Sequence, residues 1–167
     1  NKIPFLGICY GMQMAIIEFA RNKLKIKKAT SSEFDKKGLH IIGLINEWTK
    51  DGKKIKGTNK NLGGTMRLGS YDAKLKENSK IKKIYKSKII KERHRHRYEV
   101  NIAFKDRFEK KGMIFSGISP DNKLPEIIEL KNHPWFIGVQ FHPEFKSRPL
   151  SPHPLFCSFI KAAKNHK

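Results

Sequence analysis

The sequence is poor in cysteine, poor in acidic side chains and free of long apolar runs. Its two cysteines, Cys9 and Cys157, form no Cys-x-x-Cys pair and no disulfide framework, and free thiols fit a reducing compartment. No stretch approaches the roughly 20 apolar residues that span a bilayer, and no secretory signal is visible. We therefore expect a cytoplasmic protein with no membrane partner.

An initiator methionine is also absent, because the chain opens on Asn1 and runs almost directly into an apolar segment. We therefore expect a fragment whose upstream sequence is missing. The 167 residues, 38% of them hydrophobic, suit one globular domain over 1–167 with a core of its own.

Acidic residues are outnumbered, with 36 Lys and Arg against 15 Asp and Glu and a formal net charge of +21. A basic nucleic-acid-binding module is one interpretation. However, the positive residues are mostly lysine and scattered, whereas arginine is the residue that pairs bidentately with guanine. We favour a solvated basic surface and expect no nucleic-acid partner.

Apolar spacing predicts alternating strands and helices. The predicted strands are 3–8, 39–45, 113–118, 126–130 and 135–141, and the predicted helices are 11–22, 102–111 (ended by Gly112) and 153–164. Ser151 and Pro152 are the expected N-cap and first-turn residues of the last helix, and 50–61 is expected to be a loop or hairpin. This order predicts a layered α/β domain.

The segment Gly7-Ile8-Cys9-Tyr10-Gly11 has the form G-x-C-x-G between a predicted strand and a predicted helix. It is the thiol version of the G-x-S-x-G nucleophile elbow. A helix N-terminus favours thiolate, and the Tyr10 N–H would face a developing oxyanion. Cys9 is thus a candidate nucleophile, although an ordinary buried cysteine remains an alternative.

A second motif, Phe141-His142-Pro143-Glu144, follows the last predicted strand. A histidine there can act as base, and a carboxylate two residues later can fix its tautomer. Alone, these residues would also suit a structural turn. Together with the elbow, they predict a Cys9, His142 and Glu144 triad.

The stretch Glu92-Arg-His-Arg-His-Arg97-Tyr-Glu-Val100 places two histidines at i, i+2 among arginines. No ligand set completes a zinc site, so we expect no metal. An anion grip fits the arginines better, and a solvated basic strand is the alternative. Cys157 is expected to lie in the core.

These motifs resemble class I, triad-type glutamine amidotransferases, and among them the glutaminase domain of the CTP synthases. The class is carried by the elbow with Met12-Gln13 and by Gln140-Phe-His142-Pro-Glu144. The narrower resemblance rests on longer stretches spread over the whole chain: Ala29–Phe34, Gly63–Gly69, Glu92–Asn101, Asn132–Phe136 and Pro152–Ala163.

The resemblance implies a three-layer, flavodoxin-like α/β fold with a central, mostly parallel sheet whose first strands are missing. It implies that Cys9 attacks the side-chain amide of glutamine and that a γ-glutamyl thioester forms. Tyr10, Gln13, Glu33 and Arg97 would bind the glutamine. Gly64, Thr65 and Arg67 would lie in a lid that adjoins a possible GTP-activator site.

The resemblance also implies partners outside this chain. Ammonia would pass to a synthetase domain that converts UTP to CTP with ATP and Mg²⁺, GTP would activate, and the full-length enzyme would be a homotetramer. No cofactor is expected in this domain. Tyr10 stands where these enzymes usually carry Leu, and the elbow also resembles that of GMP synthase, which remains an alternative. Because the second oxyanion donor of the family lies upstream of the elbow, we expect the 167 residues alone to be nearly inactive.

Overall fold

The computed structural model describes residues 2–44, 47–50, 53–56 and 66–166. The strands are β1 (Phe5–Ile8), β2 (Ala29–Ser31), β3 (Leu39–Leu44), β4 (Glu47–Lys50), β5 (Lys53–Lys56), β6 (Arg67–Leu75), β7 (Ile89–His96), β8 (Tyr98–Val100), β9 (Met113–Ile118), β10 (Pro125–Leu130) and β11 (Phe136–Val139). The helices are α1 (Tyr10–Asn22), α2 (Lys80–Tyr85), α3 (Lys105–Lys110) and α4 (Pro154–Lys164), with 3₁₀ turns at Ile102–Phe104 and Pro143–Phe145.

The largest sheet has the strand order β1-β11-β10-β9-β6-β7. Within the described residues, β1 and β11 form its one parallel pair, and the other neighbours run antiparallel. The expectation of a mostly parallel sheet is therefore wrong for this part of the chain. The physical reason is the short connections at 119–124 and 131–135, which suit antiparallel neighbours, whereas a parallel pair needs a long crossover.

Helices cover both faces of this sheet, which confirms the predicted layered α/β class. One apolar cluster joins the sheet to α1 and α3 through Met12, Ile16 and Phe108. A second cluster joins the opposite face to α2 and α4 through Ile81 and Leu155. Neighbouring residues of β10 belong to different clusters, as the two-residue period of a strand requires.

The strand and helix around the elbow follow the sequence prediction closely. The β1 strand lies at one edge of the largest sheet, and α1 packs back on it with an apolar face: Met12, Ile16, Ile17, Phe19 and Ala20. Further along, the predicted helix at 102–111 is a 3₁₀ turn followed by α3, and Gly112 ends it with φ +96°.

The start of α4 differs from the prediction by two residues. His153 is the N-cap, since its Nδ1 accepts from the Leu155 N–H at 3.3 Å, and Pro154 is the first helical residue. Ser151 and Pro152 lie before the cap. Cys157 is exposed rather than in the core, because the buried face of α4 runs through Leu155 with Phe159 and Ala162 behind it.

Of the strands and helices, β2, β6 and α2 were not predicted, and β7 and β8 fall in the stretch for which a solvated basic strand was only the alternative. The antiparallel β4–β5 pair overlaps the range 50–61, for which a loop or hairpin was expected, but it begins three residues earlier; residues 51–52 and 57–61 lie outside the described residues. A smaller sheet has the order β2-β3-β8. None of the described helices has the length and apolar character needed to cross a membrane.

Candidate active site

Cys9 stands at the turn between β1 and α1. Its backbone has φ 48° and ψ −100°, a conformation that L-residues adopt only when the surroundings enforce it. The enforcing contacts are visible, because the Cys9 N–H donates to the Val139 carbonyl at 2.7 Å and helix α1 begins at the next residue. The thiol is therefore held at a helix N-terminus, where the dipole favours an anion.

Gly7 makes this sharp turn sterically possible. A Cβ on Gly7 would lie 2.9 Å from the carbonyl carbon of Gly11 and 2.9 Å from the N of Met12, closer than real side chains approach. A Cβ on Gly11 would meet nothing within 4 Å. Close strand-to-helix packing thus depends on the first glycine of the motif and not on the second.

His142 lies at the same edge of the sheet as Cys9. Ile8 pairs with Val139 in the parallel β1–β11 ladder, so Cys9 and the residues after Val139 leave adjacent strand ends. His142 Nδ1 lies 2.6 Å from Glu144 Oε1. Since a carboxylate accepts, Nδ1 carries the proton and Nε2 of the neutral ring carries the lone pair. That Nε2 is buried and has no hydrogen-bond partner among the described residues.

The surroundings of Cys9 hold it as a neutral thiol. Burial, with contributions from the Glu99 and Glu144 carboxylates, raises the pKa of Cys9 to about 11. The Tyr10 backbone N–H and the Gln140 side chain oppose this rise in the pKa by hydrogen bonding to the sulfur. A reaction at neutral pH therefore requires a base that takes the thiol proton as the sulfur attacks.

Two buried glutamines connect Cys9 to β8. Gln140 Nε2 lies 3.7 Å from Cys9 Sγ. Gln13 Nε2 donates to Gln140 Oε1 at 3.3 Å and to the Tyr98 carbonyl at 3.0 Å. Gln13 was a sequence candidate for binding substrate. The sequence motif includes Gln140 but assigns it no role. Its position between the end of a strand and His142 is the feature that could have indicated a place in the site.

The other expected glutamine-binding residues lie around the elbow. Tyr10 is 53% exposed, and its ring contacts Phe34 edge-on with 6.0 Å between centroids. Glu33, which is exposed, directly precedes Phe34 in the chain. Arg97 is half-buried and directly precedes Tyr98, whose carbonyl receives Gln13.

Arg67, which the resemblance assigns to a lid, is the first residue of β6 and lies buried in the core. Its Nη1 donates to Glu99 Oε1 at 2.9 Å and its Nη2 to Glu126 Oε1 at 2.8 Å, and its exposed fraction is 2%. The buried guanidinium compensates the charges of the two buried carboxylates, because a buried charge without a partner lowers the stability of the folded state strongly. Gly64 and Thr65 lie outside the described residues.

The basic stretch before Arg97 forms β7 and points alternately in and out. Its buried residues are Ile90, Glu92, His94 and His96. His94 Nδ1 and His96 Nε2 lie 2.8 Å apart, and His94 Nε2 lies 3.6 Å from Glu126 Oε2. Burial, reinforced by the Arg67 charge, lowers the pKa of His96 to about 3 and also lowers the pKa of His94, so both rings are neutral.

The outward arginines of β7 border an open groove of about 730 Å³ beside the His-Pro-Glu turn. Two further cations, two apolar side chains and a serine complete it, so the lining consists of Arg93, Arg95, Lys146, Arg148, Leu68, Phe145 and Ser70. The sequence-based alternatives of an anion grip and a solvated strand thus apply to the outer face of β7. The histidines belong to the inner face.

A layered α/β fold with a cysteine at a strand-to-helix elbow is typical of the class I glutamine amidotransferases, and comparison with known proteins gives the same class. The family description "Glutamine amidotransferase class-I" matches residues 1–162, so the chain belongs to that family. Among solved structures, the chain is similar over its full length to a Trypanosoma brucei CTPS glutaminase domain with bound acivicin. That match has a TM-score of 0.85 and 36% identity, and it covers 62% of the other chain.

Within the family, the similarity is to CTP synthases. The chain is 92% identical over all 167 residues to "CTP synthase" of Pelagibacter ubique (strain HTCC1062), and 58% identical over 164 residues to "CTP synthase" of Maricaulis maris (strain MCS10). It spans 31% and 30% of those proteins, respectively. The enzyme class predicted from the motifs is that of these relatives.

Proposed function

We propose that this chain, within a polypeptide of the relatives' length, hydrolyses the side-chain amide of glutamine with Cys9 as nucleophile, His142 as general base and acid, and Glu144 as the group that orients the histidine. The observation that carries the proposal is the pair of adjacent strand ends. One holds a thiol at a helix N-terminus, and the other holds an imidazole whose Nδ1 is engaged by a carboxylate. No described residue hydrogen-bonds its Nε2, which leaves that nitrogen able to take a proton.

The reaction has two stages. Cys9 Sγ attacks the amide carbon while His142 Nε2 takes the thiol proton, and the N–H of Tyr10 stabilises the negative oxygen. His142 then gives that proton to the leaving nitrogen, so ammonia departs and a γ-glutamyl thioester remains. Water, deprotonated by the same imidazole, attacks the thioester and releases glutamate and the free thiol.

The substrate would lie over the start of α1. Glu33 is an exposed carboxylate that suits the α-ammonium of glutamine, and Arg97 suits its α-carboxylate. Tyr10 and Gln13 flank Cys9 on the first two turns of the helix. Both hydrogens of Gln13 Nε2 are used within the protein, so Gln13 would act on the substrate mainly by holding the pocket in shape.

We infer the use of the ammonia from the relatives' name. It would aminate UTP to CTP in a cytoplasmic, tetrameric enzyme whose synthetase domain binds ATP and Mg²⁺. GTP would act as the activator. The groove beside His142 holds four cations, and its arginines suit the phosphate groups of a bound polyphosphate. The 92% identity to a CTP synthase supports this acceptor over that of GMP synthase.

The test is glutamate release from glutamine, measured for the 167-residue polypeptide and for a polypeptide extended to the relatives' length. Cys9→Ala should abolish release, while Cys157→Ala, a matched change at the exposed cysteine, should leave it unchanged. Added UTP and ATP should yield CTP. Glutamate release that survives Cys9→Ala would remove the triad proposal. Release without CTP would remove only the acceptor, and salt-sensitive binding to DNA or RNA without release would favour the nucleic-acid alternative.

A further inference from the structure

The hydrogen bonds around Cys9 form a chain whose direction is fixed at its far end. The Tyr98 carbonyl is an acceptor only, so Gln13 must present its NH₂ group to it, at 3.0 Å. The second hydrogen of that NH₂ group then faces Gln140 Oε1, at 3.3 Å. Gln140 is thereby oriented with its own NH₂ group toward Cys9 Sγ, at 3.7 Å.

A second set of contacts supports the same direction. The Tyr98 carbonyl also lies 3.2 Å from His96 Nδ1, so its two lone pairs receive one donor from the histidine and one from Gln13. The backbone of Gln140 is fixed independently, since its N–H donates to the Glu126 carbonyl at 2.8 Å. Both glutamine side chains are almost completely buried, with exposed fractions of 3% for Gln13 and 0% for Gln140.

We propose that Gln140 donates a hydrogen bond to the Cys9 sulfur as its negative charge develops, and that Gln13 is the positioning residue that keeps the Gln140 amide turned nitrogen-first. This assigns a catalytic contact to the glutamine that precedes Phe141-His142 and a second task to Gln13. The inference rests on the proposed function only in that the sulfur charge matters for catalysis if Cys9 is the nucleophile.

The charges around Cys9 explain why such a donor is needed. The Glu99 carboxylate from β8 and the Glu144 carboxylate from the turn after His142 both oppose thiolate formation, and burial opposes it further. Favouring the anion are the Tyr10 N–H at the start of α1 and the Gln140 amide after β11. Removal of the Gln140 donor leaves one hydrogen bond against two negative charges.

The experiment measures thiol reactivity directly, without glutamine. The complete protein is alkylated with iodoacetamide from pH 7 to 9, and the rate is followed in the tryptic peptide 3–21, which contains Cys9. Peptide 147–161 reports Cys157 of the same molecules as an internal reference. For the parent protein, the Cys9 rate should rise about tenfold per pH unit, because its pKa of about 11 lies above this window.

Gln140→Met keeps the side-chain length and removes the donor. It should raise the Cys9 pKa by about one unit, the effect of losing a hydrogen bond to a charged group. The Cys9 rate at a given pH should then fall about threefold, because a more basic thiolate is partly compensated by greater nucleophilicity. Gln140→Glu should lower the rate of Cys9 alkylation more than Gln140→Met does, and the difference should grow as the introduced carboxyl group ionises. The Cys157 rate should not change.

If Gln140 only supports the structure, Gln140→Met should loosen the site, and Cys9 would be alkylated as fast as in the parent protein or faster. That result would overturn the proposal. If Gln140→Met fails to fold by thermal melting, Gln13→Leu decides from the other end of the chain. A slower Cys9 rate supports the proposal and an unchanged rate overturns it. Because no step uses glutamine, the outcome is independent of whether glutamate release is found.

Discussion

At the scale of single residues, the protonation of His142 determines what the site can do. Its Nδ1 is engaged by Glu144 at 2.6 Å, and its Nε2 has no partner within the part of the chain that the structure describes, so the proton-accepting nitrogen is the one left available. The sulfur, in contrast, is held as a neutral thiol by burial, which raises the pKa of Cys9 to about 11. The proposed base and the proposed nucleophile are therefore complementary in the resting state.

We predict that Glu144→Gln lowers kcat for glutamine hydrolysis by about 10²-fold, because the imidazolium formed during attack loses its negative partner. The melting temperature should not change, since the Glu144 side chain is 45% exposed. Glu18→Gln, at an exposed carboxylate on α1, is the control. A steady-state assay that finds equal kcat for both variants would contradict the role given to Glu144.

The sequence predicted some of these residues and not others for a physical reason. Cys9 and the His142–Glu144 pair occur in short contiguous motifs, in which spacing alone carries the chemistry. The Gln140 contact to Cys9 and the Arg67 pairing with Glu99 and Glu126 join residues far apart in the chain. Such contacts depend on strand order, which a single sequence does not encode locally.

At the scale of elements, the active-site turn depends on how closely α1 approaches β1. A Cβ added at Gly7 would lie 2.9 Å from backbone atoms of the first helical turn, whereas a Cβ added at Gly11 would meet nothing within 4 Å. The motif G-x-C-x-G therefore contains one glycine required by packing and one that packing does not require.

The two glycines provide a matched pair of variants. Gly7→Ala should lower the free energy of unfolding by about 1–3 kcal/mol, because the added methyl group forces backbone atoms apart. Gly11→Ala should leave the stability unchanged or raise it by up to about 1 kcal/mol, since alanine is the better helix former. Denaturant unfolding of both variants is the measurement. Equal losses would contradict the steric account of the elbow.

Arg67 connects three strands, β6, β8 and β10, through two buried carboxylates. Arg67→Met should lower the unfolding free energy by about 3–5 kcal/mol, because Glu99 and Glu126 would lose their shared cation. Lys76→Met removes an ion pair to Glu109 in which the lysine side chain is 53% exposed, and should cost less than about 1 kcal/mol. A small loss for Arg67→Met in denaturant unfolding would show that the cluster is not needed for stability.

At the scale of the whole molecule, the layered α/β class followed from the order of strands and helices, but the pairing did not. The predicted strands at 113–118, 126–130 and 135–141 appear within two residues of their observed bounds. Antiparallel pairing among them follows from short connections that the sequence displayed. The β7 strand was expected only as an alternative because it buries charged and polar side chains, which apolar periodicity does not detect.

The positive residues behind the net charge of +21 are distributed over the whole molecule. The buried side of β7 uses its polar groups internally, whereas the outer side adds Arg93 and Arg95 to the groove near His142. Part of the positive charge therefore lies beside the candidate active site. The remainder agrees with a solvated basic surface, as expected from scattered lysines.

The most direct test of the central claim is to trap the covalent intermediate. The complete protein is mixed with glutamine, quenched in acid within one turnover and digested, and tryptic peptide 3–21 is weighed by mass spectrometry. The account predicts one glutamyl group on that peptide, none on peptide 147–161, and none on either after Cys9→Ala. Glutamate released at full rate with peptide 3–21 never modified would contradict Cys9 as the nucleophile.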